Sequence, residues 1–177
     1  MANLNKALFL DRDGIINVDF GYVYNFDQFK LIPEIIEIIK IAQTKDFKII
    51  VLTNQSGIER GYYADYHVHL LHLEIDHLFL CHGIKIDAWY FCPSLSGEWR
   101  KPKPGMMIQA MKDFNLDLTQ SCMLGDKESD ILEMDGPKYF LIKGNYQFSA
   151  ELKKEKAIVF DRHSDFLDFF KKTTQLF

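Results

Sequence analysis

Two carboxylates, Asp11 and Asp13, close a short apolar run, Lys6 to Leu10, and are followed by Gly14. The run reads as a buried strand and the glycine as its break. In open α/β sheets the edge outside the carboxyl ends of the strands is where ligands bind. Side chains alternate along an extended segment, so Asp11 and Asp13 can point the same way. Two anions aimed at one spot repel unless a cation lies between them or one is protonated. That suits a hard, oxygen-liking ion such as Mg²⁺, which takes one or two carboxylates and leaves its other positions to water and phosphate. It also suits catalysis in which one Asp attacks as a nucleophile while the other moves protons. Taken alone, Asp-x-Asp-Gly after a strand can equally be a turn.

Three later stretches extend the set. Lys48 to Leu52 reads as a second buried strand and ends at Thr53-Asn54-Gln55-Ser56-Gly57. Cys122 to Leu124 reads as a short apolar strand and ends at Gly125-Asp126-Lys127. Arg100-Lys101-Pro102-Lys103-Pro104-Gly105 lies in a loop before a helix. Together these supply two acids, a hydroxyl–amide pair, a fixed cation and a further acid. Phosphoryl transfer needs that inventory: a nucleophile, a metal held by carboxylates, and donors that neutralise the phosphoryl oxygens.

The elements that must position these residues alternate strand and helix. Between the first strand and Pro33 lies an irregular stretch, Ile15 to Ile32, long enough for a lid or binding loop. Pro33 opens a helix whose apolar face is Ile35, Ile38, Ile39 and Ala42. Asp65 is the expected cap of a helix running to about His82, with Leu71, Ile75, Leu78 and Phe79 on one face. Ile86 to Phe91 is a further strand, Pro104 starts a helix through about Phe114, and Tyr139 to Ile142 and Ala157 to Phe160 are strand candidates. Ser164 begins a terminal helix. This alternation predicts an α/β fold with a parallel sheet covered on both faces. No repeat or linker divides the chain, so residues 1–177 are expected to form one domain.

Length and composition bound the function. The 177 residues are 47% hydrophobic, enough for a packed core. The net charge of -4 and the lack of a dense basic run argue against a nucleic-acid binder. No apolar run is long enough to span a membrane and the start carries no secretory hydrophobic region. The three cysteines, odd in number and widely spaced, fit the reducing cytoplasm. A monomer acting on a small molecule is expected.

The four clusters, in order, resemble the four motifs of haloacid dehalogenase-superfamily phosphatases: Asp11-Arg12-Asp13-Gly14, Thr53-Asn54-Gln55-Ser56-Gly57, Arg100-Lys101-Pro102-Lys103-Pro104-Gly105 and Gly125-Asp126-Lys127-x-x-Asp130. The resemblance is to the branch of D-glycero-D-manno-heptose 1,7-bisphosphate and histidinol-phosphate phosphatases. It runs from about Lys6 to Gly144, and Asp19-Phe20-Gly21-Tyr22 looks like that branch's substrate loop. It implies a Rossmann-like parallel sheet with no separate cap domain. It implies that Asp11 is the nucleophile and becomes an aspartyl phosphate, and that Asp13 is the acid and base. Thr53 and Lys101 would hold the phosphoryl oxygens. Asp11, Asp13 (through its backbone carbonyl) and Asp126 would ligate Mg²⁺. Asp19, Phe20, Gly21, Tyr22, Asn54, Gln55, Ser56, Arg100 and Lys127 would contact the substrate, a small sugar phosphate. The same chemistry on histidinol phosphate, and a non-enzymatic phospho-accepting receiver module, are alternatives. Against the receiver, the Asp pair closes the first strand rather than a middle one.

Family members often carry a zinc loop before Arg-Lys-Pro. Here Cys92 stands where it begins, Ser94 replaces its histidine and Trp99 precedes Arg100. One thiolate cannot make a four-ligand site, so no zinc is expected. His67, His69, His72, His77 and His82 crowd one helix. A solvated helix face is favoured over a metal set of His69, His72 and Asp76. Phe166, Phe169, Phe170 and Phe177 suit the core face of the terminal helix. Lys153 to Lys156 reads as a solvated turn, and Cys81 and Cys122 as buried small apolar residues.

Overall fold

The structure, a computed structural model, describes residues 4–144, 146, 148 and 156–173. Six strands carry the fold: β1 (Lys6–Leu10), β2 (Phe47–Asn54), β3 (Ala88–Cys92), β4 (Cys122–Gly125), β5 (Lys138–Ile142) and β6 (Ala157–Phe160). They form one all-parallel sheet in the order β3-β2-β1-β4-β5-β6. The chain winds outward from β1 to β3, then returns to the other side of β1 at β4. The gap between the ends of β1 and β4 is therefore the topological switch point, where a crevice opens for ligands.

Side-chain alternation sorts the strands onto two cores. Leu8, Leu10, Ile49, Val51 and Phe140 face α1 (Glu34–Thr44), α2 (Asp65–Cys81) and α4 (His163–Lys172). Ala7, Phe9, Ile50, Leu52 and Met123 face α3 (Gly105–Phe114). Burial on both faces explains why β1, β2 and β4 read as continuous apolar runs.

Several local expectations shift. Ala64, not Asp65, occupies the cap of α2; its N–H is satisfied by His67 Nδ1 at 3.0 Å, and Asp65 falls in the first turn. β3 starts at Ala88 rather than Ile86, because the Asp87 carboxylate accepts from the Ile49 N–H at 2.8 Å in place of a ladder carbonyl. α4 begins at His163, one residue before Ser164. His72 is buried, not solvated: its ring stacks on Trp89 with centroids 4.1 Å apart. Cys81 is exposed, because it lies on the outward side of the last turn of α2, whereas Cys122 is buried in β4. Leu78 is only half-buried. Phe166 and Phe170 are core residues, while Phe177 and most of the Lys153–Lys156 stretch lie outside the described residues. No helix among the described residues is long and apolar enough to cross a membrane.

Candidate active site

Register brings the clusters to one edge. Leu10 pairs with Val51 on β2 and with Leu124 on β4, so Asp11, Thr53 and Asp126 emerge side by side. The Asp11 N–H continues the ladder to the Leu124 carbonyl at 3.0 Å. A small cavity there is lined by Asp11, Asp13, Thr53, Lys101, Lys127 and Asp130. It adjoins a cavity of about 370 Å³ whose walls include Asp19, Tyr22, Arg60, Arg100, Lys127 and Tyr146.

Lys101 is the central cation. Its Nζ lies 2.9 Å from Asp11 Oδ1 and 2.6 Å from Asp130 Oδ1, and its side chain is almost wholly buried. Burial alone would lower its pKa; the charges of Asp11 and Asp130 outweigh that and raise it, so the ammonium stays protonated. The Asn54 side chain fixes the Lys101 backbone from both sides, donating to its carbonyl and accepting from its N–H, each at 3.1 Å. Asn54 therefore uses most of its amide to position Lys101.

Asp13 is held differently from Asp11. Arg12, with no exposed side-chain surface, forks onto its carboxylate at 2.7 and 2.9 Å. Asn17 Nδ2 adds a bond at 2.9 Å and Gln55 Nε2 one at 3.1 Å. Gln55 also donates to Thr53 Oγ1 at 2.8 Å and accepts from the Tyr63 hydroxyl at 2.8 Å. That leaves the Thr53 hydroxyl hydrogen free to donate, and commits the Gln55 amide to the frame of the site.

The acidic side of the site carries the strongest electrostatic strain. Asp11 and Asp126 are buried. Burial pushes both carboxyl groups up, and the Asp11 charge raises Asp126 further. Asp126 Oδ1 is buried without a hydrogen-bond partner. Asp11, Asp126 and Asp130 are close enough to share one ion. Asp130 is already saturated, however: besides Lys101 it accepts from the N–H groups of Asp126 and Lys127, each at 3.0 Å. Asp11 and Asp126 are the carboxylates left to a cation, and their donor set fits a hard divalent ion. Gly14, at φ +93°, permits this approach: a Cβ there would collide with the Asp126 carboxylate.

Of the residues expected at the site, Phe20 does not join it. The Asp19 carboxylate accepts from the Gly21 N–H at 2.8 Å, a tight turn that leaves Phe20 facing solvent. Asp19, Gly21, Tyr22, Asn54, Gln55, Ser56, Arg100 and Lys127 do line the larger cavity. Lys127 bonds Asp19 Oδ2 at 3.0 Å. That carboxylate's pKa is lowered: burial opposes this, but the Gly21 N–H and Lys127 prevail.

Arg12, Asn17, Arg60, Tyr63, Asp130 and Tyr146 belong to the site but carry no role in the sequence reading. Arg12 and Asp130 stand inside the quoted motifs, and a charged residue flanking a buried strand end is the signal that could have found them. Tyr146 has none. Its hydroxyl reaches Asp19 Oδ2 at 3.1 Å across 127 residues of chain, and its ring lies 4.9 Å from Lys127 Nζ.

Known proteins resemble this chain in sequence and in fold. Residues 10–157 match the family model described as polynucleotide kinase 3 phosphatase. A Helicobacter pylori protein named D-glycero-beta-D-manno-heptose-1,7-bisphosphate 7-phosphatase is 47% identical over 135 residues, covering 73% of this chain and 78% of the relative. A Pasteurella multocida protein of the same name is 37% identical over 174 residues, covering 92% and 95%. The solved D,D-heptose 1,7-bisphosphate phosphatase of B. bronchiseptica, complexed with magnesium and phosphate, superposes with a TM-score of 0.82 at 24% identity, covering 94% of this chain and 98% of that one. The chain is thus a phosphoric monoester hydrolase with a haloacid dehalogenase-like fold, and it belongs to the family of the D-glycero-D-manno-heptose-1,7-bisphosphate 7-phosphatases.

Proposed function

We propose that this enzyme removes the 7-phosphate of D-glycero-D-manno-heptose 1,7-bisphosphate with Mg²⁺ bound, through an aspartyl phosphate on Asp11. The observation that carries the reading is the pairing of Asp11 with Lys101 at 2.9 Å beside an Asp126 oxygen that has no hydrogen bond and only the Lys127 ammonium, at 3.8 Å, near it. A nucleophile and a phosphate-binding cation then share one small cavity, and a metal-seeking carboxylate, Asp126, has an oxygen within 4.8 Å of an Asp11 oxygen. The relatives' names supply the sugar, and the solved relative's magnesium and phosphate support the ion.

In the first step an Asp11 carboxylate oxygen forms a bond to phosphorus and the ester P–O bond breaks. Asp13 gives its proton to the departing sugar oxygen. In the second, Asp13 takes a proton from water as the water oxygen bonds to phosphorus and the acyl-phosphate P–O bond breaks, restoring Asp11. Lys101 and the Thr53 hydroxyl hold the equatorial oxygens, where negative charge accumulates in the transition state. Asp11, the Asp13 carbonyl and Asp126 would hold Mg²⁺, which when bound neutralises phosphoryl charge and orients the phosphate against Asp11. Because Arg12, Asn17 and Gln55 clasp the Asp13 carboxylate, they orient it toward the cavity it lines. Arg100 and Lys127 line the outer cavity and suit the rest of an anionic sugar.

The test is phosphate release from the heptose bisphosphate, histidinol phosphate and common sugar monophosphates, with and without EDTA. The heptose bisphosphate is expected to give the highest kcat/KM, and chelation to abolish release until Mg²⁺ is restored. Full activity after chelation refutes the metal assignment; preference for histidinol phosphate refutes the sugar. Metal analysis is expected to find no stoichiometric zinc.

A further inference from the structure

The loop that joins β3 to α3 brings Arg100 to the outer cavity, and little packing holds it, since residues 95–99 are exposed. Two turns set the Arg100 backbone: its N–H donates to the Gly97 carbonyl at 3.1 Å, and its carbonyl accepts from the Lys103 N–H at 2.8 Å. The side chain is anchored differently. Among the described residues its hydrogen-bond partner is the Ser94 carbonyl, 3.0 Å from Nη1. That carbonyl belongs to the Ser94–Leu95 peptide, whose N–H donates to Glu59 Oε2 at 2.5 Å. Glu59 lies on the segment that follows β2, between Ser56 and Arg60, which both line the outer cavity. Its own N–H donates to the Pro93 carbonyl at 3.3 Å, so its backbone and its side chain both grip this loop.

A trans peptide points its C=O and its N–H in opposite directions. The Ser94–Leu95 peptide therefore stands between two charges, a carboxylate on its N–H and a guanidinium on its C=O. Both bonds are charge-assisted, and each polarises the peptide in the sense that strengthens the other. Turned over, the peptide would set its oxygen against the carboxylate and its N–H against the guanidinium. Glu59 thus fixes which way the peptide faces, and the peptide fixes where the Arg100 fork is anchored. One N–H of that fork is spent on Ser94; the others remain for an anion in the cavity. Lys101, the next residue, is insulated from this relay because Asn54 grips its backbone. We propose that Glu59 is a positioning residue: through the Ser94–Leu95 peptide it aims Arg100 at the part of the substrate remote from the transferred phosphate. This rests on the function proposed above, in which the substrate carries a second anionic group. Because the relay reaches Arg100 and stops short of Lys101, it governs substrate binding and not the phosphoryl-transfer step.

Steady-state kinetics of the full chain on the heptose bisphosphate test this. Glu59→Ala should raise KM by up to about tenfold, the worth of one ordinary hydrogen bond, while kcat holds. Glu59→Gln keeps an oxygen for the Leu95 N–H and should restore most of the KM. In an Arg100→Ala background Glu59→Ala should add nothing, because the group it aims is gone. An unchanged KM in Glu59→Ala, a loss in kcat instead of KM, a Glu59→Gln protein as impaired as Glu59→Ala, or an equal KM rise with and without Arg100 would each overturn the proposal. The clasp can also be read without substrate. Trp99 precedes Arg100, and Trp89→Phe leaves it as the sole indole of the chain's two. In that background the fluorescence anisotropy of Trp99 should fall with Glu59→Ala and recover with Glu59→Gln; an indifferent anisotropy would show that Glu59 does not hold the loop. A parent enzyme inactive on the heptose bisphosphate would overturn the proposed function instead, and the anisotropy would still decide the part played by Glu59.

Discussion

Replacing Asp130 by Asn tests whether the frame around Asp11, the proposed nucleophile, is electrostatic. The exchange preserves shape but cannot preserve the bonds. Asp130 accepts from the Lys101 ammonium on one oxygen and from the Asp126 and Lys127 N–H groups on the other. An amide has one oxygen for these two sets of donors. If it serves the backbone, its NH₂ faces an ammonium; if it serves Lys101, two buried N–H groups lose their acceptor. Removing one partner of a buried ion pair typically costs about 3–5 kcal/mol. Lys101 keeps Asp11, so the lower end, about 3 kcal/mol, is expected. For a domain of this size that is roughly 6–12 °C in melting temperature. The kinetic effect should be larger than stability alone suggests. Lys101 and the Asp126 loop both pivot on this carboxylate, and a misplacement of about 1 Å can cost on the order of 100-fold in rate. Urea unfolding gives the stability change, and kcat/KM on the folded variant gives the positioning effect. An Asp130→Asn enzyme within about 0.5 kcal/mol of the parent, the range of an ordinary surface change, and with unaltered kcat/KM, would overturn this account of the frame.

Two further predictions concern single side chains. Asp13→Asn should lose the phosphoenzyme burst with sugar phosphates, whose alkoxide needs a proton, by on the order of 10²–10⁴-fold, yet retain most of it with an aryl phosphate. Asp11→Asn should lose both, and equal loss of both bursts in Asp13→Asn would show that Asp13 is not the acid. His72 is buried and its pKa is held well below the usual value by burial and then by the Arg12 and His69 charges, so it stays neutral when folded. The unfolded chain gains a proton there below about pH 6.5, so this site's contribution to stability falls as pH drops, by up to about 1.4 kcal/mol per pH unit. His72→Phe, which also removes the unpartnered Nε2, should flatten that decline; parallel pH–stability curves for parent and variant would count against it.

Much of the candidate site is legible because it sits at strand ends. Asp11, Thr53 and Asp126 each follow an apolar run that local pattern identifies without help. A parallel sheet then leaves little choice about which edge they share. The terminal helix and its phenylalanine face are legible for the same reason, a strong single periodicity. α2 is harder. With apolar residues on two sides its periodicity does not say which face is inward, so the pattern leaves His72 solvated and Cys81 buried, the reverse of what packing produces.

Local pattern alone was enough for the alternation of elements, the strand-end acids and the Arg–Lys–Pro loop, all encoded in residues close together along the chain. How those groups distribute their hydrogen bonds was settled by packing. Asn54 grips the Lys101 backbone 47 residues away, Asp130 divides itself between Lys101 and its own loop, and Tyr146 closes on Asp19 and Lys127. Donor and acceptor valences are shared among residues that meet only when β1 and β4 are brought side by side. Each such choice depends on which competing partner lies within hydrogen-bond reach, and that distance is a property of the packed sheet rather than of any local stretch.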